Sequence, residues 1–391
     1  MNAIGRAVPK RDLKPLTSLR FAAAMLVFCY HALGSERTLP GYNLGAIGVG
    51  FFFVLSGFIL TYAHHADFAA GFSAAATRRF LVARFARIYP THAVTMLAAG
   101  IGLAIAGNYL PWNLGLRYRV EESLAQALLV HAWSPDVFIR VGLNSPSWSI
   151  SDEAFFYACF PVLAVLGSRW IAPQARSRIL LYGLLLWAAG LALAASGDWS
   201  WWKLYTLPTT RLIDFAVGML AGYAFLRPSR AVSASAATRN EIGALLAFLL
   251  ATLALPAVPW PLRPALWMMP WAALAILTFA EGRGAISRFL SHPACVRLGE
   301  ISFAFYLVHH TVLLIVQRFA GDGAITVFAA FALSLAASLA LFLWVETPAR
   351  NWIRSTAESP APSVPSAGAR RPTTAPLARE DGPPLRTGEF W

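Results

Sequence analysis

The 391-residue chain is 57% hydrophobic and only 13% charged, with a net charge of +13. Soluble domains carry about 25% charged residues, so this composition excludes an ordinary water-soluble globule and points to a bilayer. The basic excess does not mark a nucleic-acid partner, because Lys and Arg flank apolar runs rather than forming one patch. Cys29, Cys159 and Cys295 lie in apolar stretches without paired spacing, against a disulfide framework or a zinc site. No metal constellation is visible, no metal is expected, and no solenoid or propeller repeat is seen.

Apolar runs bounded by charge, Pro or Gly predict an all-α integral membrane protein of about ten transmembrane helices. They fall near 16–34, 44–63, 82–107, 148–168, 178–196, 207–226, 241–258, 265–281, 300–319 and 324–345. The first follows Lys10, Arg11 and Lys14 but has no clear small-residue cleavage site, so it reads as a retained helix rather than a leader. A short run at 120–133 predicts a partial or interfacial helix. Basic residues alternate between connections. Arg78, Arg79, Arg169, Arg176, Arg227, Arg283 and Arg350 fall on the side of the N-terminus, with fewer on the other. The positive-inside rule then places both termini in the cytoplasm. Residues 1–354 form the expected membrane domain. Residues 355–391, rich in Pro, Ser and Arg, form an expected disordered cytoplasmic tail. The long far-side connection, about 108–147, carries Tyr109, Trp112, Arg117, Tyr118 and Trp133. It reads as a headgroup-level aromatic belt, with a lid or acceptor surface as the alternative.

A charge in mid-span costs about 2.5–3.5 kcal/mol, so polar residues inside the runs are where chemistry is sought. Arg20 and His31 stand eleven apart in the first helix. That spacing puts them on nearly one face, with His31 roughly 16 Å further along the axis. Arg84 and Arg87, three apart, share a face at the cytoplasmic edge, where paired guanidinium forks suit phosphate. Positive-inside anchoring would explain the same pair. Asp152 and Glu153 open the fourth full span after SPSWS. They are candidates for helix-terminal carboxylates or, for Glu153, a partner that orients the His31 ring. Arg211 and Asp214 read as a structural pair inside the sixth span. The glycines at 45, 48, 50 and 57 read as packing.

Taken together these residues resemble the acyltransferase-3 family of bacterial membrane O-acetylases and O-acyltransferases of surface polysaccharides and related glycans, over about residues 13–354. The resemblance rests on Arg20 with His31, Phe51 to Gly57 (FFFVLSG), and Arg84 with Arg87 in RFARIYP. It continues with Ser147 to Tyr157 around Glu153, with Arg211, Phe215 and Gly218, with Ser302, Tyr306 and His309, and with Glu346 and Pro348. The chain departs at Gly50, where many relatives are acidic, and at Phe155, where Gln is frequent. The resemblance implies a multi-pass protein of the bacterial inner (plasma) membrane with no bound cofactor. It also implies acyl-CoA, chiefly acetyl-CoA, as the donor on the cytoplasmic side and a carbohydrate hydroxyl as acceptor. The acceptors it allows are O-antigen, exopolysaccharide, peptidoglycan and glycosylated small molecules.

On this reading Arg20, Arg84 and Arg87 bind acyl-CoA. His31 is the general base, or alternatively a nucleophile that carries the acyl group, and Glu153 is its catalytic partner. Ser149, Tyr306 and His309 are possible oxyanion or acceptor contacts. The rival reading is a glycan transporter or flippase, since buried charge also marks substrate pathways.

Overall fold

The computed structural model describes residues 12–34, 41–106, 116–197, 199–228, 232–263 and 266–358, and among them every regular element is helical. In chain order the α-helices are α1 (Lys14–Leu33), α2 (Leu44–His64), α3 (Ala74–Ala106), α4 (Leu116–Ala127), α5 (Val137–Val141) and α6 (Trp148–Trp170). They continue with α7 (Arg176–Ala195), α8 (Trp201–Tyr205), α9 (Pro208–Phe225), α10 (Ala234–Leu253) and α11 (Met269–Glu281). The last are α12 (Ala285–Leu290), α13 (Pro293–Ala320), α14 (Ala324–Leu341) and α15 (Thr347–Glu358).

A helix stands at each of the ten predicted positions. Seven stretches among the described residues are long and apolar enough to cross a membrane: Lys14–Leu33, Leu44–Phe68, Ser145–Trp170, Arg176–Ala195, Ala234–Leu253, Pro293–Ala320 and Ala324–Thr356. The other three differ for physical reasons. Helix α3 holds Arg78, Arg79, Arg84 and Arg87, α9 holds Arg211 and Asp214, and α11 is 13 residues long. Outward-facing Leu184, Leu185, Leu249, Leu250 and Phe328 are exposed while Arg211, Asp152 and Glu346 are buried. This is the inside-out arrangement of a protein solvated by lipid.

Local chemistry sets the helix ends. Asn43 caps α2, its side-chain oxygen accepting from the Ala46 N–H at 2.8 Å. Helix α1 stops where Gly34 turns left-handed at φ 58° and returns its N–H to the Tyr30 carbonyl. Helix α13 begins two turns before the predicted position, because Pro293 suits the first turn and His292 accepts from the Ala294 N–H. Helix α15 runs through Glu358, so residues 355–358 are helical; the rest of the expected tail lies outside the described residues.

Helix α2 is the axis of the bundle, packed on α1, α9 and α11. Its tightest crossing is with α9. A Cβ added at Gly57 would run into the Phe215 carbonyl, and one at Gly218 into the Val54 carbonyl. Small residues in both helices bring the backbones together. Helix α13 packs on α1, α3 and α14, which sets it between the elements that carry His31 and the arginines. A π-helical turn, Phe342–Glu346, joins α14 to α15.

Candidate active site

Five helices, α1, α2, α3, α6 and α13, converge on one cavity of about 100 Å³. A single water needs roughly 10–15 Å³ by the same measure, so the space admits more than ordered solvent. Its polar lining is Arg20 from α1, Ser56 from α2, Arg84 and Arg87 from α3, Ser149, Glu153 and Tyr157 from α6, and Tyr306 from α13. The sequence placed these residues on separate runs; the fold brings them to one surface.

The arginines are held by specific partners. Arg87 donates from Nη1 to Glu346 Oε1 of the π turn, and its guanidinium lies 5.2 Å from the Phe303 ring centroid. Arg350 Nη1 approaches the same carboxylate oxygen at 3.9 Å. Arg84 lies over Phe80 at 5.9 Å. Glu153 Oε2 accepts from Tyr157 Oη at 2.8 Å and interacts electrostatically with Arg20, Arg87 and Arg84. Glu153 is therefore a counter-charge of the arginine cluster. The expected pairing of Glu153 with His31 is not what the fold makes, because two residues on different helices meet only if the helices bring their faces together.

His31 instead meets α13. Its Nδ1 lies 2.9 Å from His309 Nε2, and its ring centroid is 4.4 Å from that of His310. His309 is fully buried, and its Nδ1 donates to the Phe305 carbonyl at 3.1 Å. Three residues before His309 on the same helix, Tyr306 reaches the cavity. Tyr306 Oη donates to the Pro146 carbonyl at 2.8 Å and lies 2.7 Å from Ser149 Oγ. Ser149 Oγ also lies 3.2 Å from the Pro146 carbonyl. Each of the two hydroxyl protons thus has the Pro146 carbonyl and the other hydroxyl as acceptors in reach.

The Arg211–Asp214 pair forms as expected, at 3.3 Å between Nη2 and Oδ1, with both side chains at most 1% exposed. The guanidinium lies between Phe53 and Tyr205, at 4.9 and 5.6 Å from their ring centroids. Asp152 interacts with this pair and with Glu153, and does not itself line the cavity. Gly50 adjoins it too, since a Cβ there would lie 3.7 Å from Arg211 Nη2.

Two polar devices were not singled out from sequence. Glu241 of α10 accepts from the backbone N–H groups of Gly284, Ile286 and Ser287 and from Ser287 Oγ, clamping the start of α12. On the far-side connection, His131 Nε2 lies 3.2 Å from Ser147 Oγ, and Ser147 donates to the Asn144 carbonyl at 2.7 Å. Asn144 Nδ2 donates to the Leu307 carbonyl of α13 at 2.9 Å. Burial pushes the His131 imidazole down to about 3, so it stays neutral and holds the turn that presents Pro146. The only signal in the sequence for either device was a polar residue beside an apolar run. In the same connection Trp133 packs edge-on to Phe155 at 5.1 Å, while Tyr109 and Trp112 lie outside the described residues.

Three guanidinium groups and the hydroxyls of Ser149 and Tyr306 thus share one cavity inside an apolar helical bundle. The acyltransferase domain of the acyltransferase-3 family matches residues 15–345, and the chain belongs to that family. It is similar to acyltransferase MdmB of Streptomyces mycarofaciens, at 31% identity over 96% of this chain and 98% of the relative. It is also similar to exopolysaccharide production protein ExoZ of Rhizobium meliloti, at 28% identity over 82% of this chain and 93% of the relative. No solved structure matches. Seven apolar helices in a membrane acyltransferase family make this a multi-pass membrane protein, and the relatives support an O-acyltransferase activity.

Proposed function

We propose that this protein moves an acyl group, chiefly acetyl, from cytoplasmic acyl-CoA to a hydroxyl of a carbohydrate or glycosylated acceptor. It would work in the bacterial plasma membrane, with about ten spans and both termini cytoplasmic. The observation that carries this reading is the single cavity lined by Arg20, Arg84 and Arg87 together with Ser149 and Tyr306. Phosphate-bearing donors suit paired guanidinium forks, and the name of the Rhizobium relative, an exopolysaccharide production protein, supports a carbohydrate acceptor.

The step is ordinary acyl transfer. The thioester carbonyl carbon is attacked by the acceptor oxygen while His31 takes the hydroxyl proton. The tetrahedral intermediate places negative charge on the former carbonyl oxygen. Ser149, whose proton has alternative acceptors, turns to donate to that oxygen. The carbon–sulfur bond then breaks, the ester remains on the acceptor, and the proton held by His31 neutralises the CoA thiolate. Arg20, Arg84 and Arg87 hold the donor's phosphates. Glu153, together with Glu346 on Arg87, offsets the positive charge of the cluster in apolar surroundings.

The test uses sealed membrane vesicles, labelled acetyl-CoA and the host's own glycan. Wild type is expected to release CoA and label the glycan, and His31→Ala, inserted normally, is expected to lose about 10²–10⁴ in rate. Glycan movement without CoA release would replace this reading with transport.

A further inference from the structure

We infer that His309 fixes the tautomer of His31 and so decides which ring nitrogen acts as the base. The inference deepens the function proposed above and rests on it for its catalytic meaning, though not for its geometry. The argument starts at a carbonyl. The Phe305 oxygen can only accept, so His309 Nδ1, 3.1 Å away, carries a proton. A neutral imidazole has one N–H, which leaves His309 Nε2 as an acceptor. The atom facing it at 2.9 Å is His31 Nδ1, which must then be the donor. His31 is thereby set as the Nδ1–H tautomer, with its lone pair on Nε2.

The alternative would need a second proton on His309. That would put an imidazolium on a fully buried side chain whose hydrogen bonds go to a carbonyl and an imidazole, with the ring of His310 a further 6.4 Å away. No carboxylate takes part in either bond, and an uncompensated buried charge is strongly disfavoured. The chain Phe305 carbonyl, His309, His31 thus does with two neutral groups what a carboxylate does in a serine-hydrolase triad: it orients the ring and selects the tautomer. Both His309 nitrogens are in use, which leaves His309 no N–H to offer an oxyanion. The residue expected as an oxyanion or acceptor contact is a positioning residue.

The test is ¹⁵N NMR of the full-length protein labelled in histidine, in detergent or nanodiscs, with the His31 signals identified by their loss in His31→Ala. The nitrogen shifts of wild type are expected to show His31 protonated on Nδ1. His309→Leu removes the acceptor and should move His31 towards the Nε2–H form. His309→Gln, whose side-chain oxygen can accept the same bond, should retain Nδ1–H. In turnover, His309→Leu should lose roughly a hundredfold in kcat with the KM for acyl-CoA within about twofold, and His309→Gln should recover most of that loss. A wild-type His31 protonated on Nε2, or a tautomer unmoved in His309→Leu, overturns the inference, as do equal losses of kcat in the two variants. The NMR result does not depend on acyl transfer. If the tautomer is as stated and no CoA is released, the inference stands and the proposed function falls.

Discussion

The two ends of the site are built from opposite materials. At the arginine end, guanidinium groups on α1 and α3 are set against carboxylates from distant elements, Glu153 on α6 and Glu346 on the π turn. At the histidine end, three imidazoles pack together and their traced bonds run to each other and to a backbone carbonyl. Fixed charge serves to hold a charged ligand, because charge-assisted hydrogen bonds are the strong ones. A neutral imidazole serves to take a proton, and a fixed charge beside it would bias that exchange. On the function proposed above the difference separates donor binding from proton transfer, and substitutions at the two ends should act on different kinetic constants.

The sharpest break is expected from Arg84→Ala with Arg87→Ala. Loss of two phosphate contacts, each worth about 1.5–3 kcal/mol, should raise the KM for acyl-CoA by roughly a hundredfold or more while kcat of saturated enzyme changes little. Steady-state kinetics in vesicles checks it, and a loss confined to kcat would merge the two ends. Smaller is the effect of Glu346→Ala, which leaves Arg87 in place but without its anchor. It should raise the same KM by roughly tenfold, and should add almost nothing in a chain already carrying Arg87→Ala, because the two act as one unit.

The smallest effect lies off the site, in α4. Burial pushes the Glu122 carboxyl up to about 7, against the pull of Arg119. A raised carboxylate favours the folded form while protonated. That contribution is full below the ordinary value of 4.5 and is lost as pH rises through about 7. Protection factors for amide exchange in residues 116–147, which remove the intrinsic pH dependence of exchange, should therefore fall roughly tenfold between pH 5 and pH 8, and Glu122→Gln should flatten the dependence. His131, in the same connection, should not contribute to this change, since it stays neutral throughout that range.

Much of the bundle was legible in sequence because membrane helices are written in runs of apolar residues, and a charge within a run stands out. Arg20, Arg84, Arg87 and Glu153 were singled out on those grounds, Ser149 and Tyr306 through the family resemblance, and all six line one cavity. Helix starts were less legible. Helix α10 begins at Ala234 rather than 241, because Ser233 caps it and the polar first turns extend beyond the apolar run. What sequence could not supply was pairing between helices. Periodicity gives the face of α1 that bears His31 and the face of α13 that bears His309, but not that the two faces meet. For the same reason Glu153 was matched to the wrong partner, and the Glu241 clamp on α12, made largely to backbone N–H groups, had no side-chain signature to find.

Arg20 and His31 belong to one uninterrupted helix, α1, capped at Gly34 and free of internal Pro between the two residues. At about 1.5 Å per residue, their separation along the axis is a fixed rung count of roughly 16 Å. The helix is a ruler rather than a hinge: tilting or sliding it moves Arg20 and His31 together and leaves the interval unchanged. On the function proposed above, selection among donors of different reach must then come from the walls of the cavity and not from the spacing of Arg20 and His31. A single residue inserted into or deleted from α1 between positions 20 and 31 would turn one end about 100° from the other, disabling the site while leaving every side chain in place.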